Sequence, residues 1–169
     1  MRLLFRYLLT STAFGVAVAY SNTSTSICDS LASALPDKIF FPETDTYNSS
    51  IFSYPFIQLR LHPSCIIRPK SSLDISTAVK ILGESENTKF AIRGGGHNVN
   101  AGFNNVDNGV TFDMQSLKDV QVDEVVRVGA GALWQHVYDA VEPRNISVLG
   151  GRIGVVGVAG FTTGGRFRN

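Results

Sequence analysis

The sequence predicts a mixed α/β (α+β) fold. From Cys65 onward, short apolar runs bounded by Pro or Gly alternate with short stretches of helical periodicity. Of the 169 residues, 44% are hydrophobic, enough to build the core of one ordinary domain but not of two. No internal repeat is present, and the alternation fits neither a bundle nor a sandwich. Fifteen basic residues stand against 14 acidic ones, a net charge of +1, which gives no footprint for nucleic acid and no polybasic membrane patch.

Residues 1–19 have the layout of a secretory signal peptide. Arg2 and Arg6 precede an apolar run from Tyr7 to Ala19, and Ala17-Val18-Ala19 is a small-x-small cleavage site. The run is too short to span a bilayer, so the expected location is extracellular, with no membrane contact after cleavage. An uncleaved anchor is the alternative. In an oxidising compartment the two cysteines, Cys28 and Cys65, are most simply a disulfide, worth roughly 4 kcal/mol in the chain-entropy account; two buried thiols are the alternative. Asn22, Asn48 and Asn145 head glycosylation sequons, of which Asn48 and Asn145 are the useful candidates.

Residues 20–60 form an N-terminal extension and 61–169 the main domain. Ser21 to Ser26 reads as a polar linker. Leu31, Ala34 and Leu35 suit one side of a short helix starting after Asp29 or Ser30, and Pro36, Pro42 and Pro55 break any longer periodicity up to Arg60. Cys65 to Arg68 predicts a strand stopped by Pro69. Ser72 is the expected N-cap of a helix with Asp74 in its first turn, Ile75, Val79 and Leu82 on its apolar face, and Gly83 at its end. Lys89 to Arg93 and Gly109 to Asp113 predict strands. Val120 to Val128 predicts a hairpin turning at Asp123-Glu124, and Leu133 to Val141 a short helix bounded by Pro143.

The chemistry concentrates in two glycine clusters. Arg93-Gly94-Gly95-Gly96-His97-Asn98 places three glycines after a strand. Each is entropically unfavourable, so the run makes sense where backbone must approach a ligand, and successive N–H groups can cradle a phosphate or pyrophosphate. A plain flexible turn is the alternative. Arg93 either adds charge there or pairs with an acid elsewhere. His97 is either a solvated turn residue or an imidazole held beside a cofactor. His62 lies in a loop before Pro63, and His136 is expected on the exposed face of its helix. The second cluster, Gly150 to Gly165, alternates glycine with apolar residues and would admit a flat ligand. Neither cluster carries the Gly-x-Gly-x-x-Gly or Gly-Lys-Ser/Thr pattern, and no Gly-x-Ser-x-Gly elbow occurs. A phosphotransferase or hydrolase is therefore not expected.

Taken in order, Phe90 to Gly102, Gly109 to Met114, Val128 to Trp134, Val148 to Arg152 and Val156 to Gly160 resemble the FAD-binding, PCMH-type domain of the vanillyl-alcohol oxidase/para-cresol methylhydroxylase superfamily. The chain is most similar to the fungal berberine-bridge-enzyme-like, FAD-linked oxidases. The match covers Cys65 to Gly165: the N-terminal subdomain and the start of the second. The resemblance implies FAD as cofactor, bonded covalently through the His97 imidazole to the flavin 8α-methyl carbon, with Arg93, Gly94, Gly95 and Gly96 around the pyrophosphate. Asn98 and Gly102 fall in the same loop, and Gly150, Gly151, Gly157 and Gly160 in the second flavin-contacting segment. It also implies a Cys28–Cys65 disulfide. The whole enzyme would oxidise a small-molecule alcohol, hemiacetal or activated C–H group, with O2 as acceptor.

The resemblance also implies absences. The stretch with a second flavin-linking cysteine, the substrate domain with its catalytic base, and the C-terminal return segment are missing. After Gly164-Gly165 the chain reads Arg166-Phe167-Arg168-Asn169 instead of the family's small residues. The expectation is a fragment without catalysis on its own. A non-catalytic flavin- or nucleotide-binding module, and a secreted interaction domain that binds nothing through its glycines, remain as alternatives.

Overall fold

The structure, a computed structural model, describes residues 23–85 and 87–165. The leader, the Asn22 sequon and the last four residues lie outside the described residues. Among the described residues, no helix is long and apolar enough to cross a membrane.

The first body is a sheet covered on both faces. Strands β1 (Ile39–Phe40), β2 (Cys65–Ile67), β3 (Phe90–Arg93) and β4 (Val110–Asp113) lie in the order β1-β2-β4-β3. β2, β4 and β3 are parallel, and β1 is antiparallel to β2. Every residue of β2 and β4 is buried, as expected for central strands with layers on both sides. Cys65, Ile67, Val110 and Phe112 pack against helices α1 (Thr23–Ala34) and α3 (Ser72–Gly83). Ile66 points the other way, to Tyr47 and Ile51 of helix α2 (Asp45–Phe52). Thr111 and Asp113 alternate with Val110 and Phe112 along β4, so a polar pair is buried on the α2 side.

Thr23–Ser26 belongs to α1 and is no linker. The helix is anchored further along by buried Cys28, Leu31 and Leu35, whereas Ala34 faces out. Cys28 and Cys65 form a disulfide with Cα atoms 6.0 Å apart, tying α1 to β2. The N-cap of α3 is Ser71, one residue before the predicted Ser72. Its hydroxyl accepts the Asp74 N–H at 3.2 Å, and Asp74 Oδ2 accepts the N–H groups of Lys70 and Ser71 at 2.8 and 3.0 Å. Fixing the phase at Asp74 puts Ala78 and Leu82 on the buried stripe and turns Val79 outward, 54% exposed.

The second body is a β-hairpin packed on a helix. Strands β5 (Val120–Val122) and β6 (Val126–Val128) pair antiparallel around the predicted Asp123-Glu124 turn. Helix α4 (Trp134–Val141) buries Trp134, Val137 and Val141 against them. His136 stands in the first turn of α4, half-buried, and its Nδ1 accepts the Leu133 N–H at 3.1 Å. It is therefore a helix-start cap and not a mid-helix surface residue. The glycine-rich segment beyond it ends in the short helix α5 (Val158–Thr163).

Candidate functional site

β3 delivers the first glycine cluster, and its last residue decides how that cluster is held. Arg93 is 1% exposed. Its register partner on β4 is Asp113, and the guanidinium lies 4.0 Å from that carboxylate. It donates to the Ser50 carbonyl at 2.8 Å and to the Ser53 hydroxyl at 2.9 Å. Ser50 donates to Asp113 Oδ2 at 2.7 Å, and Arg68 stands 3.6 Å from the same carboxylate. Of the two roles open to Arg93 in the sequence, the structure shows pairing with an acid. Its side chain runs beneath the loop and does not line the cleft above it.

Burial pushes the Tyr54 phenol well above its usual pKa, with Arg93 acting in the opposite direction. Its ring lies under the Arg93 guanidinium, 3.8 Å from ring centre to Cζ.

The two glycine clusters meet backbone to backbone. A Cβ built on Gly95 would stand 2.5 Å from the Gly157 nitrogen and 2.8 Å from its Cα. Neither position admits a side chain. Gly96 takes φ +68°, the left-handed region, and sits directly on the Arg93 guanidinium. The second cluster is fixed to the start of α4: Trp134 and Gln135 donate their N–H groups to the carbonyls of Val156 and Gly154 at 3.0 and 2.9 Å. Gly150 and Gly151 lie against Trp134, where a Cβ on either would approach ring atoms to 2.6 Å. Tyr138 stacks on Trp134 and donates its hydroxyl to the Gly151 carbonyl at 2.7 Å, while Phe161 meets Trp134 edge-on.

Between the clusters lies a cleft of about 1460 Å³, larger than the ~300–1,000 Å³ typical of small-molecule pockets and suited to an extended ligand. Gly94, Gly95, Gly96, His97, Asn98, Gly150, Gly151, Gly157 and Gly160 all line it. Gly102 does not; it takes φ +85° at an open turn. His97 is exposed and makes no hydrogen bond among the described residues. His62 lies in an exposed loop away from the cleft.

The sequence reading missed other lining residues: Ile92, Phe103, Ile153 and Phe161 as apolar wall, and Arg152 as a cation. Arg152 is exposed and forms no ion pair among the described residues. Ser50, Ser53 and Tyr54 were missed as well, because they meet Arg93 across about forty residues of chain and no local pattern reports such a pairing. Bare glycine backbone, an exposed cation and apolar walls together fit an extended anionic cofactor with a flat ring system.

Comparison with known proteins agrees with that fit. The family described as FAD binding domain matches residues 63–167. The FAD-dependent monooxygenase sdcF of Emericella nidulans is 36% identical over 143 residues, covering 82% of this chain and 30% of the relative. The FAD-dependent monooxygenase drtC of Aspergillus calidoustus is 39% identical over 145 residues, covering 82% and 28%. Among solved structures, glucooligosaccharide oxidase from Acremonium strictum, described with a 6-S-cysteinyl, 8α-N1-histidyl FAD, superposes with a TM-score of 0.67 at 24% identity. That match covers 82% of this chain and 29% of the neighbour. BBE-like 1 of Physcomitrella patens gives a TM-score of 0.68 at 22% identity, covering 79% and 30%. The chain thus spans between a fifth and a third of the length of the relatives it matches. With the glycine-lined cleft, the sheet beneath it and the family match in agreement, the chain belongs to the FAD binding domain family.

Proposed function

We propose that this chain is the flavin-anchoring part of a secreted FAD-dependent oxidase, and that His97 is the residue to which the flavin becomes covalently attached. The single observation that carries the reading is the backbone contact of Gly95 with Gly157, which brings both glycine clusters and His97 to one cleft. In this reading the backbone of Gly94 to Gly96 would hold the pyrophosphate, with Arg152 as counter-charge. Ile92, Phe103, Ile153 and Phe161 would hold the flat ring system, and His97 stands in the cleft with an imidazole that no described residue engages. Bound FAD supplies hydride acceptance and reoxidation by O2; the chain's residues bind it, orient it and prevent its loss. The whole protein would oxidise an alcohol, hemiacetal or activated C–H group of a small molecule.

The Cys28–Cys65 disulfide supports an oxidising compartment. Of the two sequons among the described residues, Asn145 is exposed at φ +60° after a 3-10 turn. Asn48 lies within α2, and the Ser50 of its sequon is buried on Asp113. Asn145 is therefore the proposed glycan site.

Titration with FAD, read by quenching of flavin fluorescence, tests the cofactor reading. Saturable binding is expected, weaker for riboflavin, which lacks the pyrophosphate. Gly160→Leu should reduce FAD affinity without unfolding the chain, because Gly160 lines the cleft and has open space around its Cα. Equal affinity for FAD and riboflavin, or no saturable binding by a folded chain, would overturn the proposal.

A further inference from the structure

The loop that presents His97 is fastened at both ends to one side chain from outside the family match. Tyr54 precedes the matched residues 63–167 and is 1% exposed. Its ring carries the Arg93 guanidinium, and a Cβ built on Gly96 would lie 3.5 Å from Tyr54 Cε1. Gly96 is the residue immediately before His97. At the other end, the Tyr54 hydroxyl donates to the Asn104 carbonyl at 2.6 Å. Asn104 Nδ2 then donates to the carbonyl of Asn98, the residue immediately after His97, at 3.1 Å. Between these posts the chain is exposed from His97 to Phe103 and holds itself by little more than the Asn100 N–H on Asn98 Oδ1 at 2.9 Å.

We infer that Tyr54 is the positioning residue for His97: its ring fixes Gly96 through Arg93, and its hydroxyl fixes Asn98 through Asn104. The inference rests on the reading of His97 as the attachment residue. It also gives the N-terminal extension a role in cofactor loading. Geometry governs a bond-forming step more steeply than it governs reversible binding, because the imidazole must be held in a near-attack position. Loosening the loop should therefore slow attachment more than it weakens the prior encounter with FAD.

Tyr54→Phe keeps the ring under Arg93 and removes only the hydroxyl; Asn104→Ala cuts the same tie from its other end. In the full chain, hydrogen exchange of the Asn100 and Phe103 amides, the two hydrogen-bonded amides of this loop, should quicken about tenfold in both variants, the effect of one lost buried hydrogen bond, while the amides of β4 keep their protection. The rate of covalent flavin attachment should fall by about the same factor in both, and in Tyr54→Phe, whose side chain lies outside the cleft, at unchanged FAD affinity. Unchanged loop exchange together with unchanged attachment in a folded Tyr54→Phe chain would overturn the inference. Should Tyr54→Phe fail to fold, Asn104→Ala decides by the same two readouts. If the wild-type chain never acquires covalent flavin while loop exchange still answers to Tyr54→Phe, the attachment reading falls and the positioning of the loop stands.

Discussion

The two glycine clusters face one cleft but are supported by opposite physics. Gly94–Gly96 rests on a buried polar network: Arg93, Asp113, Ser50, Ser53 and Tyr54. Gly150–Gly157 rests on an aromatic platform of Trp134, Tyr138 and Phe161, and on backbone carbonyls that cap α4. The polar support fixes direction, since each hydrogen bond has one partner and one angle. The aromatic support fills volume and tolerates small shifts. The difference suits the proposed division of labour: an attachment residue needs a defined orientation, whereas a wall beside a flat ring needs area.

Removing the polar support should have the largest effect. Arg93→Met leaves the buried Asp113 carboxylate with Arg68 as its remaining cation and the donors of Ser50 and Gln115, and should cost about 3–5 kcal/mol in urea unfolding. Arg93→Lys should recover little, because one ammonium cannot serve Ser50, Ser53 and Asp113 together. A cost below about 1 kcal/mol for Arg93→Met would show that the network does not carry the loop.

Next come the glycines at the contact between the regions. Gly95→Ala and Gly157→Ala each drive a methyl into backbone and should cost about 2–3 kcal/mol, near the upper end of overpacking. Gly160→Ala has open space and should be neutral or slightly stabilising within a helix. Equal costs at Gly95 and Gly160 would break the claim that the clusters touch.

A smaller effect, far from the cleft, calibrates the sheet body. The Asp74 carboxyl is held below its usual range first by the Lys70 N–H, with the Lys38 ammonium and Ser71 also lowering it and burial opposing. A lowered folded-state value means that the stabilisation is full above the ordinary carboxylate range, and is lost as pH falls through that range and below it. Asp74→Asn should therefore cost about 1 kcal/mol at neutral pH, and the gap from wild type should close in acid. Tyr47 behaves oppositely. Burial, helped by Asp107, pushes its phenol up to about 12, so its contribution is full below the ordinary phenol value and is lost as pH rises beyond it.

His97→Ala should be the mildest for stability, within about 0.5 kcal/mol, because the side chain is exposed and unbonded. That mildness separates a cofactor role from a structural one.

The sequence was most legible where a signal is local. β2, β3, β4, the β5–β6 hairpin and α4 follow from apolar runs and from Pro or Gly punctuation, and the cleft residues follow from the glycine clusters. It was least legible where a partner is distant. Ser50, Ser53 and Tyr54 sit in a stretch broken by Pro42 and Pro55, with no periodicity to report what they face. The alternative roles of Arg93 could be decided only once β4 placed Asp113 beside it. The N-cap was misplaced by one residue because the adjacent Ser71 and Ser72 offer the same cap chemistry. Val79 was misread for a different reason: Ile75 and Leu82 do face the core, but the buried position between them is Ala78, whose small side chain signals little in the sequence. Gly102 lies in the expected loop, yet a turn carries it away from the cleft, which residue spacing does not encode.

Peptide mass spectrometry of the chain after incubation with FAD tests the central claim most directly. Trypsin releases Gly94 to Lys118, and His97 is the only histidine within it. A covalent flavin is expected on that peptide, fragmenting to His97 and absent from His97→Ala. A folded, FAD-binding chain whose peptide carries no adduct, or whose adduct maps to another residue, would contradict it.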